Sequence, residues 1–177
     1  MQNIILTGFM GTGKSTVGRL LAVQLAYQFV DTDEWIVAQN GRSIATIFAQ
    51  FGEATFRQWE ARAAQTLATE RELVIATGGG LMLNPDNEAA LAQSGLIICL
   101  TAQPDTILAR IQADETKRPL LNQPDPAQQI EQLLQERAAV YGRFPQIPTD
   151  NQTPAQIAAQ ILDHHASKLQ PTPQTNL

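Results

Sequence analysis

Residues 8–15 read Gly8-Phe9-Met10-Gly11-Thr12-Gly13-Lys14-Ser15, and this stretch matches the pattern G-x-x-x-x-G-K-[ST] at every fixed position. It follows residues 3–7, a short apolar run that predicts a buried parallel strand. It precedes residues 14–26, where apolar side chains recur at the spacing of one helix face. The pattern requires a loop between a strand and a helix, so this context disfavours a chance match or a simple glycine-rich turn.

The residue types of this stretch suit a nucleoside triphosphate. Glycines allow backbone N–H groups to turn inward around a phosphate without a Cβ clash, and the following helix offers its N-terminus to the same anion. Lys14 would place a positive charge against the β and γ phosphates. Ser15 would offer its hydroxyl to Mg²⁺. The sequence therefore predicts a phosphate-binding loop.

The rest of the chain alternates short apolar runs with segments of helical periodicity. Further strands are predicted near residues 29–33, 73–77, 96–100 and 146–148, and helices near residues 44–51, 56–67, 84–93, 104–111, 126–141 and from 154. This alternation predicts an α/β three-layer sandwich around a central, mostly parallel five-stranded sheet. We expect one domain over residues 1–169, with a mobile lid at about 112–126 and a disordered tail at 170–177.

Composition and charge narrow the class of protein. A chain of 177 residues with 44% hydrophobic residues can form one globular domain, and its net charge of −5 argues against a nucleic-acid binder. The single cysteine, Cys99, lies in an apolar run, which favours a buried core position and a reducing compartment. No run approaches the roughly 20 apolar residues that span a bilayer. Residues 1–3 leave no room for a signal peptide, so we expect a cytoplasmic protein.

Two acids follow the predicted second strand. Asp31 and Asp33 lie two residues apart, so in an extended strand both side chains could point to the same side. One could organise the magnesium shell through water, and the other could hold an acceptor hydroxyl. The alternative is an N-cap or turn pair, which is a common use of aspartate.

Arg57 and Glu60 form the next candidate set. At a spacing of three residues they are helix neighbours, so they could form an exposed ion pair of little energetic weight. Alternatively, Arg57 could clamp a ligand carboxylate in bidentate fashion while Glu60 holds it in place. Gly78-Gly79-Gly80 at the end of the third predicted strand offers open backbone to a small polar ligand, or is only a flexible turn.

Further candidates lie in the second half of the chain. Arg118, in the predicted lid, could cover the transferred phosphoryl group, although a solvated surface charge is the usual fate of a loop arginine. Arg137 lies on a predicted helix that could face the same site, or the surface. His164 and His165 are expected to face solvent, because a metal site would need further ligands nearby.

Taken together, these motifs resemble the shikimate kinase family. The resemblance runs from about residue 3 to 162 and rests on ordered signatures: G-F-M-G-T-G-K-S-T, D-T-D, G-R-S-I-A-x-I-F, G-E-x-x-F-R-x-x-E, T-G-G-G, R-P-L-L and E-R-x-x-x-Y. The first signature is shared by many kinases, whereas the full set in this order is specific. The resemblance implies ATP-dependent phosphorylation of the 3-hydroxyl of shikimate by a P-loop NTPase fold, giving shikimate 3-phosphate and ADP on the way to chorismate and the aromatic amino acids.

The resemblance also implies roles for particular residues. Catalysis would rest on Lys14, Asp33 and Arg118. ATP would contact Gly11, Thr12, Gly13, Lys14, Ser15, Thr16 and the lid residue Arg118, with Arg110 and Gln152 near the adenine. Shikimate would contact Asp33, Arg57, Gly78, Gly79, Gly80 and Arg137, with Phe48 and Phe56 as pocket walls. Mg²⁺ would bind Ser15 directly and Asp31 through water.

Three other readings stay open at the level of sequence. Two are related kinases that act on gluconate or on a nucleoside monophosphate, and the third is a nucleotide-binding module without catalysis. A nucleotide acceptor would need more phosphate-binding arginines around a base pocket, whereas gluconate also pairs a carboxylate with hydroxyls. The expected partners are small molecules alone, with no nucleic acid and no membrane, and the expected state is a monomer.

Overall fold

The computed structural model describes residues 2–113 and 125–169. In these residues the strands are β1 (Asn3–Thr7), β2 (Gln28–Asp31), β3 (Leu73–Ala76), β4 (Gly95–Thr101) and β5 (Gln146–Pro148). The helices are α1 (Lys14–Leu25), α2 (Thr32–Asn40), α3 (Ile44–Thr69), α4 (Pro85–Ser94), α5 (Pro104–Ala113), α6 (Pro126–Tyr141) and α7 (Pro154–Leu169), with a short 3₁₀ helix at Leu81–Leu83.

The described strands form one parallel sheet in the order β2-β3-β1-β4-β5. Side chains alternate between its two faces, as the period of two along a strand requires. Ile4 and Leu6 of β1 pack with α1 and α7 on one face, whereas Ile5 packs with α3 and α4 on the other. Helices therefore cover both faces of the sheet, and the predicted α/β three-layer architecture is confirmed.

The order of the strands brings the sequence motifs to one edge of the sheet. The phosphate-binding loop follows β1, the D-T-D motif follows β2, and the glycine turn at residues 78–80 follows β3. These three strands are neighbours and parallel, so their carboxyl ends lie side by side. Ligands of open parallel sheets bind at this edge.

One predicted strand end is wrong in its detail. The strand ends at Asp31, and Thr32 already begins α2, a helix that the sequence analysis missed. Asp31 and Asp33 are therefore not two extended residues on one side of a strand. Asp31 is the N-cap of α2, where its carboxylate accepts from the N–H of Asp33, and Asp33 lies in the first turn.

The predicted end of a helix near residue 51 is wrong. Gly52, at φ 76 and ψ 172, breaks the helical backbone inside α3, and the helix continues on its far side. The positive φ is one that glycine adopts without strain. The predicted helices near residues 44–51 and 56–67 are thus two arms of one kinked element.

The two adjacent histidines near the C-terminus differ in their exposure. His165 is only 8% exposed, so the expectation that it faces solvent is wrong, whereas His164 is exposed as predicted. The middle of the predicted lid, residues 114–124, and the predicted tail, residues 170–177, lie outside the described residues. Within the residues described, no helix combines the length and apolarity needed to cross a membrane.

Candidate active site

The phosphate-binding loop is shaped by glycines with positive φ. Gly8, Gly11 and Gly13 have φ values of 129°, 77° and 89°, which other residues rarely adopt. A Cβ on Gly8 would also collide with the carbonyl oxygen of Leu100 in β4. Lys14 donates from Nζ to the Gly8 carbonyl at 2.9 Å, which draws its charge back across the loop. The loop and the N-terminus of α1 thus form the anion site that the motif predicts.

Ser15 and Asp31 meet at the ends of β1 and β2. The Ser15 hydroxyl donates to Asp31 Oδ2 at 2.8 Å, while Asp31 Oδ1 accepts from the Asp33 N–H at 3.0 Å. One carboxylate therefore serves both as helix cap and as partner of the hydroxyl, so the two readings of this aspartate are compatible. A hydroxyl and a carboxylate oxygen are ligand types that Mg²⁺ accepts, and Mg²⁺ usually keeps several waters and phosphate oxygens besides.

The donor set around this hydroxyl fits a magnesium ion brought in by a nucleotide. In the parts of the chain that the structure describes, no group of three or more His, Cys, Asp or Glu side chains could hold a metal ion by itself. Ser15 and Asp31 offer two oxygens at hydrogen-bond distance from each other. Such a partial site suits Mg²⁺, which binds through one or two protein oxygens together with substrate phosphates.

Each glycine of the turn at residues 78–80 lies against a different predicted substrate-binding side chain. A Cβ on Gly78 would lie 2.5 Å from Asp33 Oδ1, and a Cβ on Gly80 would lie 2.5 Å from Arg57 Nη1. A Cβ on Gly79 would lie 3.2 Å from Arg137 Nη1. Three side chains from α2, α3 and α6 therefore converge on this turn, and the turn can accept them because it carries no side chains.

Arg57 is held by two glutamates. Its Nη1 donates to Glu60 Oε2 at 2.7 Å, and its Nε and Nη2 donate to Glu53 Oε1 at 3.1 and 2.7 Å. Burial opposes the charge on Arg57, but these two carboxylates raise its pKa above the usual range. Glu60 is 2% exposed, and burial raises its pKa even though Arg57 and Arg137 favour its ionised form. The ion pair is therefore buried on the Glu60 side, unlike a simple surface pair.

Arg137 reaches the same turn from α6. Its Nη1 donates to the Gly79 carbonyl at 3.1 Å, and its guanidinium lies 5.3 Å from the ring centre of Phe9. The Tyr141 hydroxyl, one helical turn further along α6, donates to the same carbonyl at 2.8 Å. This aromatic packing and shared acceptor fix the arginine toward the site and away from the surface.

The two phenylalanines predicted to wall the acceptor pocket contact each other. The rings of Phe48 and Phe56 have centroids 4.8 Å apart and an interplanar angle of 39°. The guanidinium of Arg57 lies 5.6 Å from the Phe56 ring centre. Phe56 is buried and Phe48 is partly exposed, at 39%. The pair thus provides an apolar surface beside the predicted carboxylate clamp.

A cavity of about 940 Å³ lies over the phosphate-binding loop and the ends of β2 and β3. Its lining includes the phosphate-binding loop, Asp31, Asp33, Gly78 and Gly79, together with Arg110 and Gln152. The side chains of Arg57, Arg137, Phe48 and Phe56 lie outside this lining, although Arg57 and Arg137 lie against the glycine turn that borders it. Arg118 lies outside the described residues.

Arg110 and Gln152 have protein partners as well as cavity exposure. Arg110 donates to the Gly11 carbonyl at 3.2 Å and to the Thr149 hydroxyl and carbonyl at 2.9 and 2.8 Å. Gln152 donates to the Pro148 carbonyl at 2.7 Å. Arg110 thus ties the phosphate-binding loop to the segment after β5, a link that the sequence analysis did not foresee.

Sequence reasoning missed several residues that support the site. Thr32 accepts the Gly78 N–H at 2.8 Å, and Glu53, Phe9 and Tyr141 make the contacts given above. The signatures contained all four residues, and for Thr32, Phe9 and Tyr141 the missing information was which distant element each would face. Glu53 is separated from Arg57 by four residues, so the helical spacing alone could have suggested that pair.

Comparison with known proteins identifies relatives along nearly the whole chain. A family model described as shikimate kinase matches residues 10–166. A shikimate kinase of Pelotomaculum thermopropionicum is 47% identical over 141 residues, which cover 80% of this chain and 81% of that protein. A shikimate kinase of Caldanaerobacter subterraneus subsp. tengcongensis is 44% identical over 165 residues, which cover 92% of this chain and 95% of that protein.

A solved structure is similar over almost the full length. The shikimate kinase from Acinetobacter baumannii, determined in complex with shikimate, superposes with a TM-score of 0.89 at 35% sequence identity. The match covers 97% of this chain and 96% of that one. The similarity therefore includes the sheet, the helices on both faces and the edge where the motifs meet.

Proposed function

The chain belongs to the shikimate kinase family, and we propose on that basis that it transfers the γ-phosphoryl group of ATP to the 3-hydroxyl of shikimate. The products are shikimate 3-phosphate and ADP, on the pathway to chorismate and the aromatic amino acids. The observation that carries this proposal is the convergence of Asp33, Arg57 and Arg137 on one glycine turn beside the phosphate-binding loop. A carboxylate and two guanidiniums suit a small hydroxy acid.

ATP binds in the large cavity with its phosphates on the glycine-rich loop. The loop and helix start supply backbone N–H groups and side chains from Gly11, Thr12, Gly13, Lys14, Ser15 and Thr16. Lys14 Nζ donates to the carbonyls of Gly8 and Phe9 at 2.9 and 2.8 Å. When ATP binds, it donates to the phosphate oxygens instead. The adenine lies toward Arg110 and Gln152, which line the same cavity.

Ser15 and Asp31 hold the magnesium ion of ATP·Mg²⁺. Ser15 would hold the ion directly through its hydroxyl, and Asp31 would hold it through water. When bound, the ion would supply positive charge against the β and γ phosphates. The fit of these two oxygens to a partial Mg²⁺ site supports this assignment.

The acceptor lies at the border between the cavity and the glycine turn. Arg57 and Arg137 bind the shikimate carboxylate with charge-assisted hydrogen bonds, and the backbone of Gly78, Gly79 and Gly80 meets the hydroxyl groups. Phe48 and Phe56 pack against the ring. Asp33 accepts a hydrogen bond from the 3-hydroxyl and directs that oxygen toward the γ-phosphorus.

Phosphoryl transfer needs positioning and charge more than covalent help from the protein. The bond from the 3-oxygen to phosphorus forms as the bond from phosphorus to the leaving oxygen of ADP breaks. Lys14 and the lid residue Arg118 stabilise the negative charge on the moving group. Asp33 is the nearby carboxylate for the hydroxyl proton.

The proposed organisation of the protein concerns its domain, its lid, its oligomeric state and its compartment. We place residues 1–169 in one domain with a lid at about 112–126, acting as a cytoplasmic monomer. The described strands belong to a single sheet, which supports one domain. The buried single cysteine, Cys99, supports a reducing compartment.

The test is a coupled assay of ADP release with a panel of acceptors. We expect turnover with shikimate and none above background with gluconate, AMP or UMP. Asp33→Asn should lower kcat by about 100-fold or more, because positioned proton acceptors contribute about that factor, whereas Asp86→Asn, an exposed first-turn acid of α4, should leave it unchanged. Preference for gluconate or a nucleotide, or ATP binding without acceptor-dependent turnover, would overturn the proposed function.

A further inference from the structure

Tyr141 is a motif residue with no role in the mechanism described so far. It ends α6 and is 5% exposed, with its ring in an apolar cluster that includes Phe9, Cys99 and Ile130. Its hydroxyl donates to the Gly79 carbonyl at 2.8 Å. The hydrogen bond to this one backbone carbonyl therefore explains why the residue is tyrosine and not phenylalanine.

The Gly79 carbonyl receives two donors from the same helix. Arg137 Nη1 lies at 3.1 Å and the Tyr141 hydroxyl at 2.8 Å. In a trans peptide the carbonyl of one residue and the N–H of the next point in opposite directions. Holding the Gly79 carbonyl toward α6 therefore also fixes the direction of the Gly80 N–H, away from α6. The two donors together set the orientation of this peptide plane.

The rest of the turn is anchored by other bonds. Thr32 Oγ1 accepts the Gly78 N–H at 2.8 Å, and the carbonyls of Gly78 and Gly80 accept from the N–H groups of Leu81 and Leu83 at 3.2 and 3.1 Å. These bonds do not fix the Gly79 peptide, whose glycine residues have the widest choice of backbone angles. The bonds from α6 supply the missing restraint.

We propose that Tyr141 is a positioning residue for the acceptor, holding the Gly79 peptide and the neighbouring Arg137 in the arrangement that binds shikimate. This inference rests on the proposed function. Arg137 must leave part of its donor capacity for a ligand carboxylate, so the tyrosine hydroxyl is the bond that keeps the carbonyl in place when the ligand arrives. Tyr141 does not touch the substrate and acts through Gly79.

The chemistry of the hydroxyl suits a permanent donor. Burial raises the pKa of Tyr141 above its ordinary value, although Arg137 favours the ionised form. The phenol therefore keeps its proton at neutral and mildly alkaline pH and continues to donate. The ring remains packed in its apolar cluster if the hydroxyl is removed, so Tyr141→Phe removes only the hydroxyl, with its bond to Gly79 and its contact with Arg137.

The test compares Tyr141→Phe with wild type in steady-state kinetics and in titration calorimetry of shikimate in the presence of ADP. The expected result is a rise of about 3- to 10-fold in the KM and Kd for shikimate, the range that loss of one neutral hydrogen bond produces. The KM for ATP should stay within twofold, and Tm should change little. Tyr27→Phe is the matched control, because Tyr27 is partly buried against the opposite face of the sheet.

The outcomes separate this inference from the function on which it rests. An active wild type with unchanged shikimate KM and Kd in Tyr141→Phe overturns the role of the hydroxyl alone. A lowered Tm with equal losses for shikimate and ATP also overturns it, since that pattern is expected from a structural residue. A wild-type enzyme that does not phosphorylate shikimate overturns the proposed function and this inference with it.

Discussion

Arg57 has two carboxylate partners that differ sharply in burial. Glu60 is 2% exposed at its side chain, whereas Glu53 is 65% exposed. The buried partner fixes the guanidinium, because it would be left as an uncompensated charge if the pair opened. The exposed partner has water as an alternative and can give way to a ligand. Arg57 can therefore be held rigidly by Glu60 and still offer hydrogen-bond donors to a ligand.

Replacing this arginine should therefore weaken acceptor binding selectively. For Arg57→Ala we expect the shikimate KM to rise about 10- to 100-fold, the range for lost charge-assisted hydrogen bonds, with the ATP KM nearly unchanged. Arg62→Ala is the matched control, because Arg62 lies on the same helix and its guanidinium is over Trp59 on the exposed side. Steady-state kinetics with each substrate varied in turn provide the measurement.

The same substitution leaves Glu60 without its closest partner, which can lower stability. A second variant, Arg57→Ala with Glu60→Gln, removes the isolated carboxylate and restores a neutral interior. It should unfold at a higher temperature than Arg57→Ala and keep the high shikimate KM. A KM change confined to ATP in both variants would contradict the clamp assignment.

In the turn at residues 78–80, glycine is required because neighbouring side chains leave no room for a Cβ atom, and not because the backbone angles are unusual. Gly80 has φ −103°, and none of the three described glycines at 78–80 has a positive φ, in contrast to Gly8, Gly11 and Gly13. The backbone angles of Gly80 are ones that any residue could adopt. The restriction comes from the side chains of α2, α3 and α6 that occupy the places where Cβ atoms would lie.

Alanine at two of these glycines should separate the two halves of the acceptor site. Gly78→Ala displaces Asp33, which lies 2.5 Å from the added Cβ, and should lower kcat about 10-fold or more. Gly80→Ala displaces Arg57, at the same distance, and should mainly raise the shikimate KM. Kinetics together with circular dichroism test this, because both side chains can move without unfolding the chain. Identical effects of the two substitutions would contradict the assignment.

The sequence predicts the elements that carry strong periodicity and misses one that does not. The phosphate-binding loop was predicted residue by residue because glycine, lysine and serine at fixed spacing have one physical reading. Helix α2 was missed because Asp31-Thr32-Asp33 reads equally well as a strand end and as a helix N-cap. Its short length and its two buried residues, Thr32 and Ile36, give little helical pattern to detect.

At the scale of the molecule, the site depends on contacts between segments that are far apart in the sequence. Arg137 lies 58 residues from Gly79, and Tyr141 lies 62 residues from it. Periodicity places each residue on a helix face, but it does not say which distant turn that face meets. The arginine was identified from its place in an ordered set of motifs, while the tyrosine required the packed structure.

His165 shows the same dependence on packing, and its burial predicts a pH dependence of the protein's stability. It lies on α7, 8% exposed, with Nε2 lacking a hydrogen-bond partner among the described residues. Burial lowers its pKa from the ordinary value of 6.5. The unfolded chain therefore binds a proton more readily than the folded one, so its contribution to stability is present above about pH 6.5 and is lost as pH falls through the lower folded pKa.

The free energy of unfolding should accordingly fall between pH 7 and pH 5, by at most about 1.4 kcal/mol per pH unit from this one group. His165→Gln should flatten that part of the profile, and His164→Gln should leave it unchanged, because His164 is exposed. Urea denaturation at a series of pH values measures the difference. Equal profiles for the two variants would show that burial of His165 has no such effect.

The central claim is that a triphosphate and a small ring acid meet at the carboxyl ends of β1, β2 and β3. A crystal structure of the protein with ADP, Mg²⁺ and shikimate tests it most directly. We expect the shikimate carboxylate within hydrogen-bond distance of Arg57 and Arg137, and its 3-hydroxyl within that distance of Asp33 and facing the nucleotide phosphates. Shikimate bound elsewhere, or with its 3-hydroxyl turned away from the phosphates, would contradict the account.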